Sequence, residues 1–249
     1  MLLSYGFQLN IVYTSEDLHG IKMFKIMGID QSINSSGKVI MTLDEEKNLD
    51  IVDVKFYGYH QTKKRCLETD NIHIRHLPKD WTKIGLIHRI SWITNYLLED
   101  TEGVKYMSME DLAYGKLKQK KVDTNSILQL AQVAGSLKVA AFDRGIGVIA
   151  YNIDQNKNFA TGDGKAGKPA MCQAWEEMFP QWFPDEFKNN YQSPVNDIAD
   201  AFWLCEVLRC HIMYDRGYEL DATTKGLLEF STSNKYGSLV ETRMEIRDV

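Results

Sequence analysis

The chain has 249 residues, 44% of them hydrophobic and 25% charged, which is enough for one large domain with a full core and ordinary for a soluble globular protein. It carries no apolar run long enough to cross a bilayer and no signal-peptide pattern, which sets the expectation of a cytoplasmic protein with no membrane partner. A net charge of −5 does not advertise a nucleic-acid binder, yet it permits one, because an acidic surface can coexist with local basic strips.

Residues 1–22 read as an N-terminal extension, in which Leu9–Tyr13 forms a short strand or arm with no assigned function. The stretch from Met23 to Ile29 is a buried strand that ends in Asp30. A carboxylate on a strand entering the core is costly unless something cationic sits against it; taken alone, Asp30 reads as a strand-end residue starting a turn. Ser35-Ser36-Gly37 makes a turn, Val39–Leu43 is a second strand and Asp50–Tyr59 a third, which together form an antiparallel meander. Lys63-Lys64-Arg65 follows in a polar loop, as solvated surface or a phosphate contact. Cys66, His73 and His76 match no common zinc spacing, and none of the four cysteines (with Cys172, Cys205 and Cys210) forms a CxxC pair, so a reducing compartment is expected. A helix is predicted from Pro78 to Leu98, with Ile84, Ile87, Ile90, Ile93 and Leu97 as its core stripe.

Val104–Glu110 is another strand ending in a carboxylate, followed by the densest basic run, Lys116 to Lys121. A helix over Ser126–Ala141, a strand over Gly145–Tyr151, a loop over Gly162–Lys168 and a helix over Pro169–Met178 come next. The last predicted helix runs from Pro194 to Tyr214, with Ser193 as its cap. Asp197 and Asp200 lie three apart and share a face, beside Ile198, Ala201, Phe202 and Leu204. Two carboxylates beside such a surface repel each other and call for a divalent metal. Residues 215–249 are a weakly patterned tail. A doubly wound nucleotide-binding fold is disfavoured, because the first three strands have no helices between them and Gly28-Ile29-Asp30 lacks a GxGxxG turn.

The strand ending in Asp30, the strand ending in Glu110 and the Asp197-Ile198-Ala199-Asp200-Ala201 helix start resemble, in order, the four acidic positions of the RuvC-type Holliday-junction resolvases of the RNase H superfamily. Asn125–Gly135 resembles that family's helix after the second acidic strand, and Gly162-Asp163-Gly164-Lys165-Ala166-Gly167-Lys168 its Gly-x-Gly-Lys-x-x-Lys loop. The resemblance covers about Lys25 to Cys210. It implies an α/β fold, an RNase H-like mixed five-stranded sheet with helices on both faces, as the nuclease domain over residues 23–214.

The same resemblance implies a metal-dependent endonuclease that cuts four-way and other branched DNA by paired phosphodiester hydrolysis. Asp30, Glu110, Asp197 and Asp200 would hold two Mg²⁺ (or Mn²⁺) ions, with Asp30 bridging, Glu110 on one and the helix pair on the other. Lys165 and Lys168 would steady the phosphates of the scissile strand; the bland alternative is a solvated loop charge. Lys116, Lys118, Lys120 and Lys121 would touch the junction arms through phosphate. Tyr114, four residues after Glu110, reads either as a base-stacking aromatic or as a core tyrosine. The 126–141 helix carries Ile127, Leu130, Ala134 and Leu137 on one side and Leu128, Gly135, Val139 and Phe142 near another, so it is buried twice over: against the sheet, and against either a twin in a homodimer or the chain's own termini. Alternatives to the resolvase are another RNase H-fold nuclease, acting on RNA–DNA hybrids or flaps, and a non-catalytic nucleic-acid-binding scaffold.

Overall fold

A computed structural model describes residues 22–60, 66–111 and 124–232. Seven strands form one sheet in the order β4-β5-β3-β2-β1-β6-β7. Strands β1 (Met23–Asp30), β2 (Ser35–Asp44) and β3 (Asp50–His60) are the antiparallel meander that the alternating apolar runs predict. Strands β6 (Val104–Asp111) and β7 (Gly147–Asn152) add in parallel on the β1 side. These five strands are the expected RNase H-like sheet. The sheet is larger than expected by two short strands at the β3 edge: β4 (Leu67–Glu68) has two residues, and β5 (Ile72–His76) alternates over only two apolar positions, Ile72 and Ile74, too short a pattern to stand out from the polar sequence around it.

Side-chain alternation splits the core into two layers. Phe24, Ile26, Val39, Met41, Val54 and Phe56 point to one face, against α4 (Lys168–Met178) and α5 (Val195–Asp215). Met27, Ile29, Ile40, Tyr57, Tyr59, Met107 and Met109 point to the other, against α1 (Leu86–Leu97) and α2 (Thr124–Phe142). Helix α5 is buried around most of its circumference, because α3 (Ile153–Thr161), α4 and α6 (Ala222–Thr232) cover the sides that the sheet does not. Trp175 of α4 stacks on Phe202 of α5 with ring centroids 4.5 Å apart, and Trp203 Nε1 donates to the Met171 carbonyl. Leu228 brings α6 into the same layer.

The segment after Pro78 is less helical than predicted. A 3₁₀ turn over Trp81–Lys83 follows Asp80, whose φ is 58°, and α1 begins only after Gly85. Ile87 is 81% exposed rather than part of the core stripe. Spacing by threes drifts around a helix, so Ile87 falls roughly 100° away from the middle of the Ile93–Leu97 face. Helix α3 and helix α6 were not expected.

Candidate active site

Strand alternation decides which acids meet. Asp30 follows Phe24, Ile26 and Gly28 on the α5 face of β1, and Glu110 follows Tyr106 and Ser108 on the same face of β6. The two strands are parallel neighbours, with Ile29 beside Met109, so their terminal carboxylates stand at one end of the sheet. Ser108 Oγ donates to the Leu204 carbonyl at 2.7 Å and ties α5 to β6 beneath them.

Glycines let α5 come down onto the sheet. A Cβ on Gly28 would lie 2.6 Å from the Cys205 nitrogen, one on Gly37 would run into the Asp197 carbonyl, and one on Gly58 would sit 3.1 Å from Pro194 Cβ. The three residues lie on adjacent strands, and Gly37 pairs with both Asp30 and Gly58. Their bare backbones set the first turns of α5 against β1, β2 and β3, which puts Asp197 and Asp200 within reach of Asp30.

Lys168, at the start of α4, closes the group. Its ammonium is 2.5 Å from Asp197 Oδ1, 3.5 Å from Asp200 Oδ2 and 3.9 Å from Asp30 Oδ2. The second oxygen of Asp197 accepts from Ser193 Oγ at 2.7 Å and from Ser35 Oγ. Ser193 therefore does not cap the α5 backbone as predicted; the carboxylate takes its hydroxyl instead.

Asp30, Asp197 and Asp200 are 8%, 4% and 6% exposed. Burial raises the Asp30 carboxyl well above the usual range, and the charges of Glu110, Asp200 and Asp197 raise it further against the pull of Lys168. Burial, with Asp200, pushes Glu110 up to about 7, against Lys168 and Lys157. Burial also pushes Asp200 up to about 6, against the pull of Lys168, with Asp197 adding to the rise. Burial pulls Lys168 down, but the three aspartates outweigh it and hold the ammonium above its ordinary value. The site is thus an excess of negative charge, partly offset by one tethered cation.

The structure places Asp30, Asp197 and Asp200 around Lys168, with Glu110 close enough for its charge to act on Asp30. Lys165 is exposed on the loop before α4, where its backbone N–H donates to Asp163 Oδ1 at 2.9 Å. Lys116, Lys118, Lys120, Lys121 and Tyr114 lie outside the described residues. Lys157 is the residue sequence reasoning missed: from α3 its charge acts on Glu110 and Asp200. Its helix had a signal, the capping box in which Asn152 and Gln155 satisfy each other's backbone N–H groups.

An all-oxygen, carboxylate donor set suits a hard divalent cation such as Mg²⁺. Among the described residues no three acidic, histidine or cysteine side chains are placed to hold a metal ion as they stand, because the Lys168 ammonium occupies the point on which the aspartates converge.

An RNase H-like sheet with carboxylates at two adjacent strand ends and a helix start is the framework of a phosphodiester-cleaving nuclease. A family model described as "Crossover junction endodeoxyribonuclease RuvC" matches residues 26–178, well over half of the chain, and the chain belongs to that family. Among solved structures, a Thermus thermophilus RuvC is 18% identical, covering 78% of this chain and 96% of its own with a TM-score of 0.48. T. thermophilus RuvC in complex with Holliday junction substrate is 16% identical, covering 78% and 95%, with a TM-score of 0.47. The Fowlpox virus resolvase in complex with substrate Holliday junction DNA is 14% identical, covering 76% and 99%, with a TM-score of 0.43. No curated protein matches. Among the described residues no helix is long and apolar enough to cross a membrane.

Proposed function

We propose that this chain resolves four-way and other branched DNA junctions by divalent-metal-dependent, paired phosphodiester hydrolysis in the cytoplasm. The observation that carries the reading is the convergence of Asp30, Asp197 and Asp200 on one ammonium, with Glu110 beside Asp30, in a member of the RuvC family. The nuclease domain is residues 23–214, with 1–22 as an extension and 215–249 as a tail whose α6 packs back on α3 and α5.

Asp30, Glu110, Asp197 and Asp200 would hold two Mg²⁺ or Mn²⁺ ions, with Asp30 serving both, Glu110 one, and Asp197 with Asp200 the other. Such a pair, when bound, supplies an activated water and a sink for the charge that develops on the phosphate. The chain's own residues do the rest. Ser35 and Ser193 fix the rotamer of Asp197. Lys157, Lys165 and Lys168 line the approach with positive charge and hold the phosphates of the scissile strand. Lys116, Lys118, Lys120 and Lys121 engage the arms through phosphate, which positions DNA without reading its sequence. Paired cuts in opposed strands call for two sites related by a two-fold axis. The exposed stripe of α2 offers the contact: Leu128, Val139 and Phe142 are 54%, 63% and 72% exposed, and Gly135 between them leaves room for close approach.

Incubation of the protein with a mobile four-way junction, a flap, an RNA–DNA hybrid and a linear duplex, in Mg²⁺ or EDTA, tests this. Paired nicks in the junction that require Mg²⁺ are expected. Preferential cutting of the hybrid or flap would replace the reading with another RNase H-fold nuclease.

A further inference from the structure

The parallel ladder between β1 and β6 ends one residue too early for the site. Its last pair is Ile29 with Met109. Beyond Asp30 the chain turns toward β2, so the edge of Glu110 that faces β1 has no strand to pair with. On its other edge Glu110 is still paired, with Tyr151 of β7. Glu110 is therefore a functional carboxylate at a strand end that its neighbour has deserted.

Gln31 fills the missing place. Its side chain lies flat against the β6 backbone, with Nε2 donating to the Glu110 carbonyl at 2.8 Å and Oε1 accepting from the Glu110 N–H at 3.3 Å. A primary amide is a donor and an acceptor in one plane, as a peptide group is, so it can continue a ladder that the main chain has left. Gln31 is 3% exposed, so these bonds are shielded from competing water. It is also the residue next to Asp30. The bond that holds Glu110 and the carboxylate that faces it are therefore one peptide unit apart.

We infer that Gln31 is a positioning residue: its amide splices Glu110 onto β1 and fixes the spacing between the Asp30 and Glu110 carboxylates. The inference rests on the metal-dependent reading above and adds a residue that acts through the Glu110 backbone. Holding two mutually repelling carboxylates at a set distance is costly for a free strand end. A rigid amide clamp removes that freedom before any cation arrives.

The clamp makes demands on chemistry and on length. Methionine matches glutamine in length and flexibility but offers neither bond. Asparagine keeps the amide but is one methylene short of reaching both backbone atoms. Full-length Gln31→Met and Gln31→Asn proteins are compared with wild type for Mn²⁺ affinity by electron paramagnetic resonance, for affinity toward an uncut four-way junction in EDTA, and for cooperative unfolding. Asp30→Asn serves as the control. Both Gln31 variants are expected to unfold cooperatively, to bind the junction within about twofold of wild type, and to bind Mn²⁺ about tenfold or more weakly, as loss of an outer partner of a metal ligand does. Adding Mn²⁺ should restore much of their cleavage, whereas Asp30→Asn should stay inactive. A folded Gln31→Met protein with wild-type Mn²⁺ affinity overturns the positioning role while Asp30→Asn keeps the metal reading intact. If wild type and Asp30→Asn bind Mn²⁺ alike, the metal reading itself fails. Loss of the fold in both Gln31 variants would make Gln31 a folding residue and overturn the role in the same way.

Discussion

Gly37 lies directly against the backbone of Asp197. A Cβ there would meet the Asp197 carbonyl and come within 2.5 Å of the Ile198 nitrogen. Backbone cannot rotate aside as a side chain can, so Gly37→Ala must lift the first turn of α5 off β2. The expected cost is about 1–3 kcal/mol of stability, read by urea unfolding. Cleavage should fall by more than stability predicts, because the same shift carries Asp197 and Asp200 away from Asp30. Gly226→Ala inside α6, where an added Cβ meets nothing within 4 Å, should lower neither and should stabilise by up to about 1 kcal/mol; equal losses from both variants would refute the argument.

Each of Asp30→Asn, Glu110→Gln, Asp197→Asn and Asp200→Asn should abolish cleavage. Junction binding should survive or tighten, since each change removes negative charge near phosphate. Near-normal turnover by Asp30→Asn in Mg²⁺ would rule out its role as the bridging ligand.

The acids were legible because each sits where a sequence pattern ends: a strand run, or the opening of an apolar helix. The five-stranded sheet and the α5 and α4 helices were legible for the same reason. What was hidden depends on close approach between distant segments. Gly28, Gly37 and Gly58 look like turn or strand glycines until α5 is laid across them. Gln31 has no periodic signal at all, because it matters only where two strands part. Lys157 was lost with α3, whose Ile153, Phe159 and Ala160 are too few to mark a helical stripe beside so many polar residues. Ile87 misled in the other direction, as an apolar residue at plausible spacing that the fold leaves outside.

Lys38 gives a pH dependence independent of the site. It is fully buried on β2, donates to the Glu99 carbonyl at 2.8 Å and lies 3.6 Å from the centre of the Tyr57 ring. Burial lowers it to about 7, against the charges of Asp100 and Glu99. The folded value is below the unfolded one, so between them the unfolded chain holds more protons and stability rises with pH. The contribution is complete above the unfolded value and lost as pH falls through about 7. Urea unfolding should show a gain of roughly 2–3 kcal/mol from pH 7 to 9.5. Lys38→Met should flatten that slope; an unchanged slope would place the proton elsewhere.

Changing Lys116, Lys118, Lys120 and Lys121 together to alanine should weaken binding to every junction sequence alike. The slope of log K against log salt should flatten by roughly 0.9 per lost phosphate contact. An unchanged slope would return the run to ordinary surface. Lys165→Ala and Lys168→Ala should lower the cleavage rate more than the affinity.

Sedimentation equilibrium at micromolar concentration tests assembly through α2. A single 28.6 kDa species, with and without junction DNA, would rule the dimer out. If the dimer forms, Gly135→Asp should yield monomers that bind junctions poorly and no longer make paired cuts.

The ammonium lodged among Asp30, Asp197 and Asp200 would make cation loading an exchange rather than an addition. A sodium or potassium ion offers the carboxylates no more charge than Lys168 already gives, and it competes with a group whose local concentration the chain itself sets. Only an ion of higher valence improves on the resident. Such an exchange would sort cations by charge before ligand geometry has any say. The tethered occupant, once displaced, would stay beside the carboxylates as a positive charge open to another anion.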